Sequence, residues 1–282
     1  SIWFGLFHSV SAFCNAGFSL QTESLEIFRG DPGILIPICI LIVLGGLGFV
    51  PLSVLGLRVI GKRRLLTLHT SVAVVGSLAL LVFGAVAFWW LQLGARGEPM
   101  SLLDSLFWSV TLRTAGFNSM PVEGLSHAAV LLSMVFMFIG GCPGGTAGGI
   151  KVTTVAILFL AVRGLLRDED DIQVFDRTLP KRTVVRALVV VVLSGAAVLV
   201  GWLLLLVLHP DLSFISLGFE ALSAFATVGL SLGATTKLSA SGLLVLVFLM
   251  FTGRVGPLAI AYGIGRSKKL PWKGATEDIY VG

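Results

Sequence analysis

The sequence predicts an all-α membrane protein, and three observations lead to that fold class. First, 56% of the 282 residues are hydrophobic and only 12% are charged, with a mean hydropathy of +0.98, which is far from the balance of a soluble domain. Second, uncharged stretches long enough to cross a bilayer, about 20 residues each, occupy 34–57, 65–93 and 187–208. Third, a short glycine-centred motif occurs three times.

The distribution of basic residues predicts which side of the membrane each connection faces. Three basic clusters separate the apolar segments, and the positive-inside rule puts all of them in the cytoplasm. The remaining connections, 21–31, 94–101, 209–213 and 235–239, carry few basic residues and are expected outside. The clusters are Lys62, Arg63 and Arg64; Arg163, Arg167, Arg177, Lys181, Arg182 and Arg186; and Arg266, Lys268, Lys269 and Lys273.

Three weakly apolar segments must therefore enter and leave the membrane on the outer side. They occupy 2–13, 102–112 and 214–226 and contain 12, 11 and 13 residues, too few to cross a bilayer. We expect them to be re-entrant half-helices. Each leads into a copy of one motif in which a small residue, a glycine, an apolar residue and a polar residue follow in order. The copies read SAFCNAGFS at 11–19, VTLRTAGFN at 110–118 and SAFATVGLS at 223–231.

The repeated glycines, Gly17, Gly116 and Gly229, indicate a pathway for a cation. Irregular backbone at membrane depth is tolerated only where it is buried in protein or lines water. Glycine allows carbonyl oxygens to turn inward, the C-terminus of a half-helix adds partial negative charge, and rings of carbonyls replace the hydration shell of a cation. The alternative is that these glycines merely make turns between a helix and a loop.

The motifs SAFCNAGFS, LRTAGFNS at 112–119 and SAFATVGLS resemble the second, third and fourth filter motifs of the Trk/Ktr/HKT superfamily of potassium transporters. The resemblance covers essentially the whole chain. It implies four channel-like units of membrane helix, pore half-helix, filter loop and membrane helix, arranged pseudo-fourfold around one pore, of which the first is expected to be missing here. The filter residues that would bind potassium are Asn15, Ala16, Gly17, Thr114, Ala115, Gly116, Thr227, Val228 and Gly229.

The resemblance divides the chain into repeats and short cytoplasmic segments. The last residues, 277–282, resemble the ending of Ktr pore subunits. The expected divisions are a second repeat at 1–64, a third repeat with a broken inner helix at 65–167, a cytoplasmic linker at 168–182, a fourth repeat at 183–265, and a cytoplasmic C-terminal tail at 266–282.

The apolar stretch 127–162 is interrupted, which predicts a helix that breaks inside the membrane. Its halves, 128–139 and 152–162, are separated by six glycines and a proline, which a helix cannot accommodate. The Walker pattern for phosphate binding is not met. The break is either a kink filled by a neighbouring helix or a flexible loop that obstructs the pathway. The resemblance implies a gating loop, with Gly140, Gly141, Gly144, Gly145, Thr146, Gly148, Gly149 and Lys151.

Two arginines lie in or beside apolar segments. Arg254 falls within 242–265, where an unpaired charge costs at least about 3 kcal/mol. It is expected either to pair with Glu220 or, as the resemblance implies, to hinder cations below the filter. Arg113 precedes a filter motif and is expected to orient its backbone or to pair with Asp104 or Glu123.

Several classes of function are disfavoured by composition and pattern. The net charge of +5 comes without the aromatic interleaving typical of nucleic-acid binding, and no nucleophile, base and orienting group are grouped as in an enzyme. Cys14, Cys39 and Cys142 have no metal-ligand spacing. We expect no cofactor in this chain.

The predicted function is potassium uptake across a bacterial-type cytoplasmic membrane, driven by the membrane potential, with the C-terminus in the cytoplasm. The resemblance implies a homodimer in the lipid bilayer that works with a cytosolic ring of nucleotide-binding regulatory subunits. The alternatives are a sodium-coupled or sodium-permeable cation transporter, a broken-helix secondary transporter of another solute, and a membrane scaffold packed through glycines.

Overall fold

The computed structural model describes residues 2–61, 66–93, 99–168, 173–174 and 177–256. Several sequence predictions lie outside these residues: the cluster Lys62, Arg63 and Arg64, most of the connection 94–101 expected outside, parts of the 168–182 linker, the end of the 242–265 segment, and the tail from 266 with its four basic residues.

The described chain is almost entirely helical, which confirms the predicted all-α class. Three short 3-10 segments, Glu26–Phe28, Val122–Gly124 and Thr235–Lys237, lie in the connections, and the two-residue strands Gln173–Val174 and Arg177–Thr178 pair antiparallel. The α-helices are α1 Ile2–Phe13, α2 Pro32–Leu47, α3 Phe49–Val59, α4 Leu68–Gln92, α5 Leu102–Thr111, α6 His127–Phe138, α7 Val152–Leu166, α8 Lys181–Leu208, α9 Phe214–Ala226 and α10 Ala240–Val255.

Two of the three predicted uninterrupted spans are confirmed. In the described part of the chain, α4 and α8, with 25 and 28 residues, are each long and apolar enough to cross a membrane alone. The prediction of an unbroken span at 34–57 is wrong, because α2 and α3 meet at Gly48 with a bend of 107°. Gly48 adopts φ 83°, a left-handed conformation that ends a helix and that glycine adopts without steric penalty.

The three predicted half-helices are present as α1, α5 and α9, with 12, 10 and 13 residues. Each packs against the longer helices beside it in the chain, α1 on α2, α5 on α4, and α9 on α8 and α10. The α5 N-terminus is fixed by a capping box between Ser101 and Asp104. The largest apolar core lies where α4, α5, α6 and α9 meet, around Phe88, Trp108 and Phe219.

The predicted break in 127–162 is also present, between α6 and α7. The connecting residues form an ordered loop, because its two ends are bonded to each other: the Gly140 amide donates to the Ile150 carbonyl at 2.8 Å, and the Ile150 amide donates to the Phe138 carbonyl at 3.0 Å. Residues 140–151, called the 140–151 loop below, thus leave α6 and return to α7 at nearly the same level.

Close approach of two helix pairs depends on glycine. A Cβ at Gly45 of α2 would overlap the Phe13 carbonyl oxygen and lie 2.8 Å from its carbon, and a Cβ at Gly253 of α10 would similarly meet Phe225, 2.6 Å from the carbonyl carbon. Both glycines therefore contact the C-terminal turn of a half-helix, at α1 and at α9. They set how closely α2 approaches α1 and how closely α10 approaches α9.

We expect Gly45→Ala and Gly253→Ala each to lower the free energy of unfolding by about 1–3 kcal/mol, because the added methyl group must displace backbone. The matched control is Gly195→Ala in α8, where no heavy atom lies within 4 Å of the added Cβ. Thermal unfolding of the detergent-purified whole protein, followed by intrinsic fluorescence, measures the difference. Equal melting temperatures for the three variants would contradict the close packing described above.

Candidate functional site

The three glycine motifs adopt the same backbone conformation. They are called here the Gly17 loop (14–19), the Gly116 loop (113–118) and the Gly229 loop (226–231). In each, the glycine and the residue two before it have positive φ, which is rare outside glycine. The angles are 50° at Asn15 and 70° at Gly17, 74° at Thr114 and 82° at Gly116, and 55° at Thr227 and 93° at Gly229.

The amides of these loops turn back toward their own half-helices. The amide of the residue before each glycine donates to a carbonyl of the preceding helix: Ala16 to Ser11, Ala115 to Thr111 and Val228 to Ser223, each at 2.9 Å. The carbonyls behave differently. In the described part of the chain, no donor is bonded to the main-chain oxygens of the nine residues from Asn15 to Gly17, Thr114 to Gly116 and Thr227 to Gly229. Four of the nine residues, Asn15, Thr114, Ala115 and Val228, are buried, and more than nine in ten buried carbonyls in folded proteins are paired.

The loops also converge on one another. A Cβ at Gly17 would lie 2.5 Å from the Ala115 carbonyl oxygen and 3.1 Å from the Gly116 Cα, and a Cβ at Gly116 would overlap the Val228 carbonyl oxygen. Nothing described lies within 4 Å of the position that a Cβ would take at Gly229. The nine sequence-predicted filter residues are thus brought together, and a cavity of about 360 Å³ adjoins the Gly229 side.

The 140–151 loop contacts the ends of half-helices α1 and α9 and the Gly116 loop. The Thr146 hydroxyl donates to the Phe13 carbonyl at 3.2 Å, and the Gly148 amide donates to the Thr114 hydroxyl at 3.1 Å. A Cβ at Gly148 would overlap the Ala226 carbonyl oxygen, so no side chain fits there. The loop is also bonded to the bend in α2, since the Cys142 amide donates to the Gly46 carbonyl at 2.8 Å.

Arg254 contacts this loop and not the predicted carboxylate. Its Nη1 donates to the Thr146 carbonyl, whereas the Glu220 carboxylate accepts hydrogen bonds from Ser231 and Thr235. The predicted pairing of Arg254 with Glu220 is therefore wrong. The two side chains lie at different levels of their helices. Arg254 lies in the last turn of α10, whereas Glu220 lies in the middle of α9, beside the segment that leaves the Gly229 loop. Lys151 bonds within its own loop, from Nζ to the Ala147 carbonyl at 2.7 Å.

Arg113 anchors the Gly116 loop to α4. The side chain is buried, and its two terminal nitrogens donate to the Ser77 carbonyl at 3.2 Å and the Ser77 hydroxyl at 3.1 Å. The expected alternative partner, Asp104, forms its ion pair with Arg29 at 3.3 Å. Of the alternatives left open by the sequence, the structure favours support of the loop backbone, since among the described residues Arg113 forms an ion pair with neither Asp104 nor Glu123.

Acidic side chains surround the outer end of the Gly116 loop. The side-chain Nδ2 of Asn118 donates to Glu26 Oε1 at 2.7 Å. Burial raises the pKa of the Glu26 carboxyl, and the neighbouring Glu23 and Glu123 raise it further, against the lowering effects of the Asn118 hydrogen bond and Arg29. Three carboxyl groups, those of Glu23, Glu26 and Glu123, therefore lie near this end of the loop.

A second recurrent glycine pair was not recognised in the sequence. The spacing Gly-x-x-Gly occurs at 45–48, 141–144 and 253–256, and also at 30–33, 94–97 and 145–148. In the first three pairs the second glycine has positive φ, 83° at Gly48, 77° at Gly144 and 88° at Gly256, whereas Gly33 and Gly148 do not. An internal alignment extended beyond the half-helices would have found this signal.

The chain is similar to known cation transport proteins. Residues 1–274 match the family described as TrkH, cation transport protein. The chain is 36% identical to the Ktr system potassium uptake protein B of Vibrio alginolyticus, over 100% of this chain and 63% of that protein. It is also 36% identical to the potassium/sodium uptake protein NtpJ of Enterococcus hirae, over 93% of this chain and 60% of that protein.

A solved structure shares the fold. The potassium transporter TrkH from Vibrio parahaemolyticus superimposes with a TM-score of 0.78 at 19% identity, covering 94% of this chain and 58% of that one. At 19% identity, this similarity supports the fold and nothing further. The chain spans about three fifths of the length of the relatives it matches.

We expect Arg113→Ala to destabilise the protein by about 2–3 kcal/mol, because it removes both hydrogen bonds that the buried guanidinium donates to Ser77 and opens space behind the Gly116 loop. Ser77→Ala is the matched control and should cost less, since Arg113 then keeps its bond to the Ser77 carbonyl. Thermal unfolding in detergent compares the two. An unchanged melting temperature for Arg113→Ala would show that this side chain is not an anchor.

Proposed function

The chain belongs to the TrkH family of cation transport proteins, and on that premise we propose that it carries potassium across a bacterial-type cytoplasmic membrane through a filter of main-chain carbonyls. One observation supports the proposal most: nine carbonyls of three converging loops have no donor among the described residues. Carbonyl oxygens arranged in this way replace the hydration shell of a cation. Two relatives at 36% identity bear names that include potassium uptake or potassium/sodium uptake.

The half-helices strengthen the attraction for a cation. The C-termini of α1, α5 and α9 lead directly into the three loops, so the partial negative charge of each helix end is directed at the same region. We assign potassium to the oxygens of Asn15, Ala16, Gly17, Thr114, Ala115, Gly116, Thr227, Val228 and Gly229. In the whole protein, a further unit at the open Gly229 side completes a pseudo-fourfold ring, and the membrane potential drives uptake.

The 140–151 loop acts as the gate of this pathway. It lies against the ends of α1 and α9 and against Thr114 of the Gly116 loop, where it obstructs a cation that leaves the filter toward the cytoplasm. Gly140, Gly141, Gly144, Gly145, Gly148 and Gly149 allow its backbone to change conformation. Arg254 holds the closed form through its bond to the Thr146 carbonyl, and its positive charge repels a cation at the same point.

The assembly follows from the family resemblance. We propose a homodimer in the lipid bilayer, with the C-terminus in the cytoplasm, together with a cytosolic ring of nucleotide-binding subunits that contacts the basic cytoplasmic segments. Those segments include Arg163, Arg167 and Arg177. The chain then needs no nucleotide site of its own.

A sodium-permeable or sodium-coupled transporter is the second candidate. Its support is the match to a relative named a potassium/sodium uptake protein, with the same identity of 36% as the potassium uptake protein B match. The two candidates share the carbonyl pathway and differ in how strictly it discriminates between cations.

Expression of the whole protein in a bacterium that lacks its own potassium uptake systems tests the proposal. We expect growth at low potassium to be restored. Gly116→Ser should abolish the rescue and Gly229→Ser should weaken it, because both positions have positive φ and Gly116 also packs against Val228; strain of this kind costs on the order of 1–3 kcal/mol. Rescue that is unaffected by either substitution, with equal protein levels, contradicts the filter assignment. Uptake of sodium without potassium favours the second candidate.

We expect Arg254→Ala to raise the initial rate of potassium uptake about tenfold, because a hydrogen bond to a charged group is worth about 1.5–3 kcal/mol and its loss favours the open loop. Uptake of radioactive rubidium into proteoliposomes provides the measurement.

Arg58→Ala is the control for this experiment, because Arg58 is an exposed arginine of α3 with no assigned role and its removal should leave the rate unchanged. A rate for Arg254→Ala that is equal to or below that of the parent, at equal reconstituted protein, means that Arg254 does not hold the gate closed.

A further inference from the structure

Two of the three glycine loops are tied to their own half-helix by side chains at equivalent positions. The residue nine before each glycine is His8, Phe107 or Glu220, and the residue two after it is Ser19, Asn118 or Ser231. His8 Nε2 lies 3.1 Å from the Ser19 hydroxyl, and Glu220 Oε1 accepts from the Ser231 hydroxyl. Phe107 has no polar atom, and Asn118 is held from another direction by Glu26.

The connection at Glu220 is the most extensive of these. Its carboxylate is buried, at 4% exposure, and also accepts from the Thr235 hydroxyl at 2.8 Å and the Thr235 amide at 3.3 Å. Ser231 in turn accepts from the Gly233 amide at 2.9 Å. One carboxylate therefore binds the whole segment 231–235, which carries the chain outward from the Gly229 loop.

This segment begins two residues after Gly229, so its position influences the orientation of the Gly229 carbonyl. The Gly229 amide donates to the Ser223 hydroxyl on the same half-helix at 3.2 Å. Ser223 thus fixes the inner end of the short stretch 229–231, and Glu220 fixes its outer end. Both residues line the cavity beside the Gly229 loop. Among the described residues, no basic side chain forms an ion pair with Glu220, so its hydrogen bonds to 231–235 are what compensate its burial.

We propose that Glu220 is a positioning residue that determines cation discrimination by holding the Gly229 loop through Ser231 and Thr235. The inference rests on the proposed function and deepens it. The role depends on hydrogen bonding and not on charge, because a carbonyl displaced by a fraction of an ångström no longer matches the ion that the other oxygens contact. Discrimination between similar cations is sensitive to such displacement.

The variants separate hydrogen bonding from charge. Glu220→Ala removes both. Glu220→Gln removes the charge but keeps the hydrogen bonds. The glutamine oxygen still accepts from the Ser231 hydroxyl, and the glutamine NH2 donates to the Thr235 hydroxyl. That hydroxyl then donates to the Ser231 oxygen, 3.2 Å away. The double variant Ser231→Ala with Thr235→Val keeps the charge and removes the hydroxyl donors. Phe107→Leu, at the equivalent position of α5, controls for an altered half-helix.

Two measurements on the whole protein test the proposal. The first is the ratio of potassium to sodium uptake in proteoliposomes; the second is amide hydrogen exchange of the 229–237 segment in detergent. We expect Glu220→Ala and the double variant to lower the ratio at least about fivefold and to accelerate exchange about tenfold. Glu220→Gln should rescue both, and Phe107→Leu should leave exchange in 229–237 at the parent rate.

Loss of discrimination in Glu220→Gln and Glu220→Ala alike, with normal discrimination in the double variant, would assign the effect to charge and overturn the proposal. Unchanged exchange in Glu220→Ala also overturns it, whatever ion is carried. Failure of the parent protein to transport potassium contradicts the proposed function instead, and the exchange measurement then still decides whether Glu220 holds the segment.

Discussion

Backbone carbonyls without donors are the constraint on which the rest of this structure depends. The main-chain oxygens of nine residues in three short loops accept no hydrogen bond from the described residues, and an unpaired main-chain oxygen is costly where it is buried. In each loop the half-helix supplies the acceptor for the amide before the glycine, and two positive φ angles let the amides turn back while the carbonyls stay unpaired. The close glycine contacts follow, since three loops can converge only where side chains are absent.

The same constraint explains why both ends of each glycine loop are fixed. The inner ends are held by amide-to-carbonyl bonds of 2.9 Å to α1, α5 and α9. The outer ends are held by side chains that differ from loop to loop: a histidine, a neighbouring acidic segment and a buried carboxylate. The backbone conformation is thus common to the three loops, while the means of support is particular to each. Because the supporting side chains differ, the three loops need not be equivalent to one another although their backbones are similar.

Much of this arrangement could be predicted from the sequence, because membrane thickness limits the possible helices. The half-helices α1, α5 and α9 follow from their length and from the side on which basic residues occur, and the break after α6 follows from its six glycines. The bend at Gly48 was missed because hydropathy averages over 34–57 and does not register one left-handed residue. The partner of Arg254 was missed because its acceptor is a main-chain oxygen, that of Thr146, which no sequence pattern identifies.

The contacts among the three glycines run in a single direction. Gly17 packs against the carbonyl of Ala115, and Gly116 packs against the carbonyl of Val228, so each loop limits the one that follows it in the chain. The contacts therefore run in one direction around the three loops, from the Gly17 loop to the Gly116 loop and from the Gly116 loop to the Gly229 loop. The consequence for sequence variation is that positions 17 and 116 accept no residue larger than glycine, whatever side chains stand at 115 and 228, because the atoms that a Cβ would meet are all main-chain atoms.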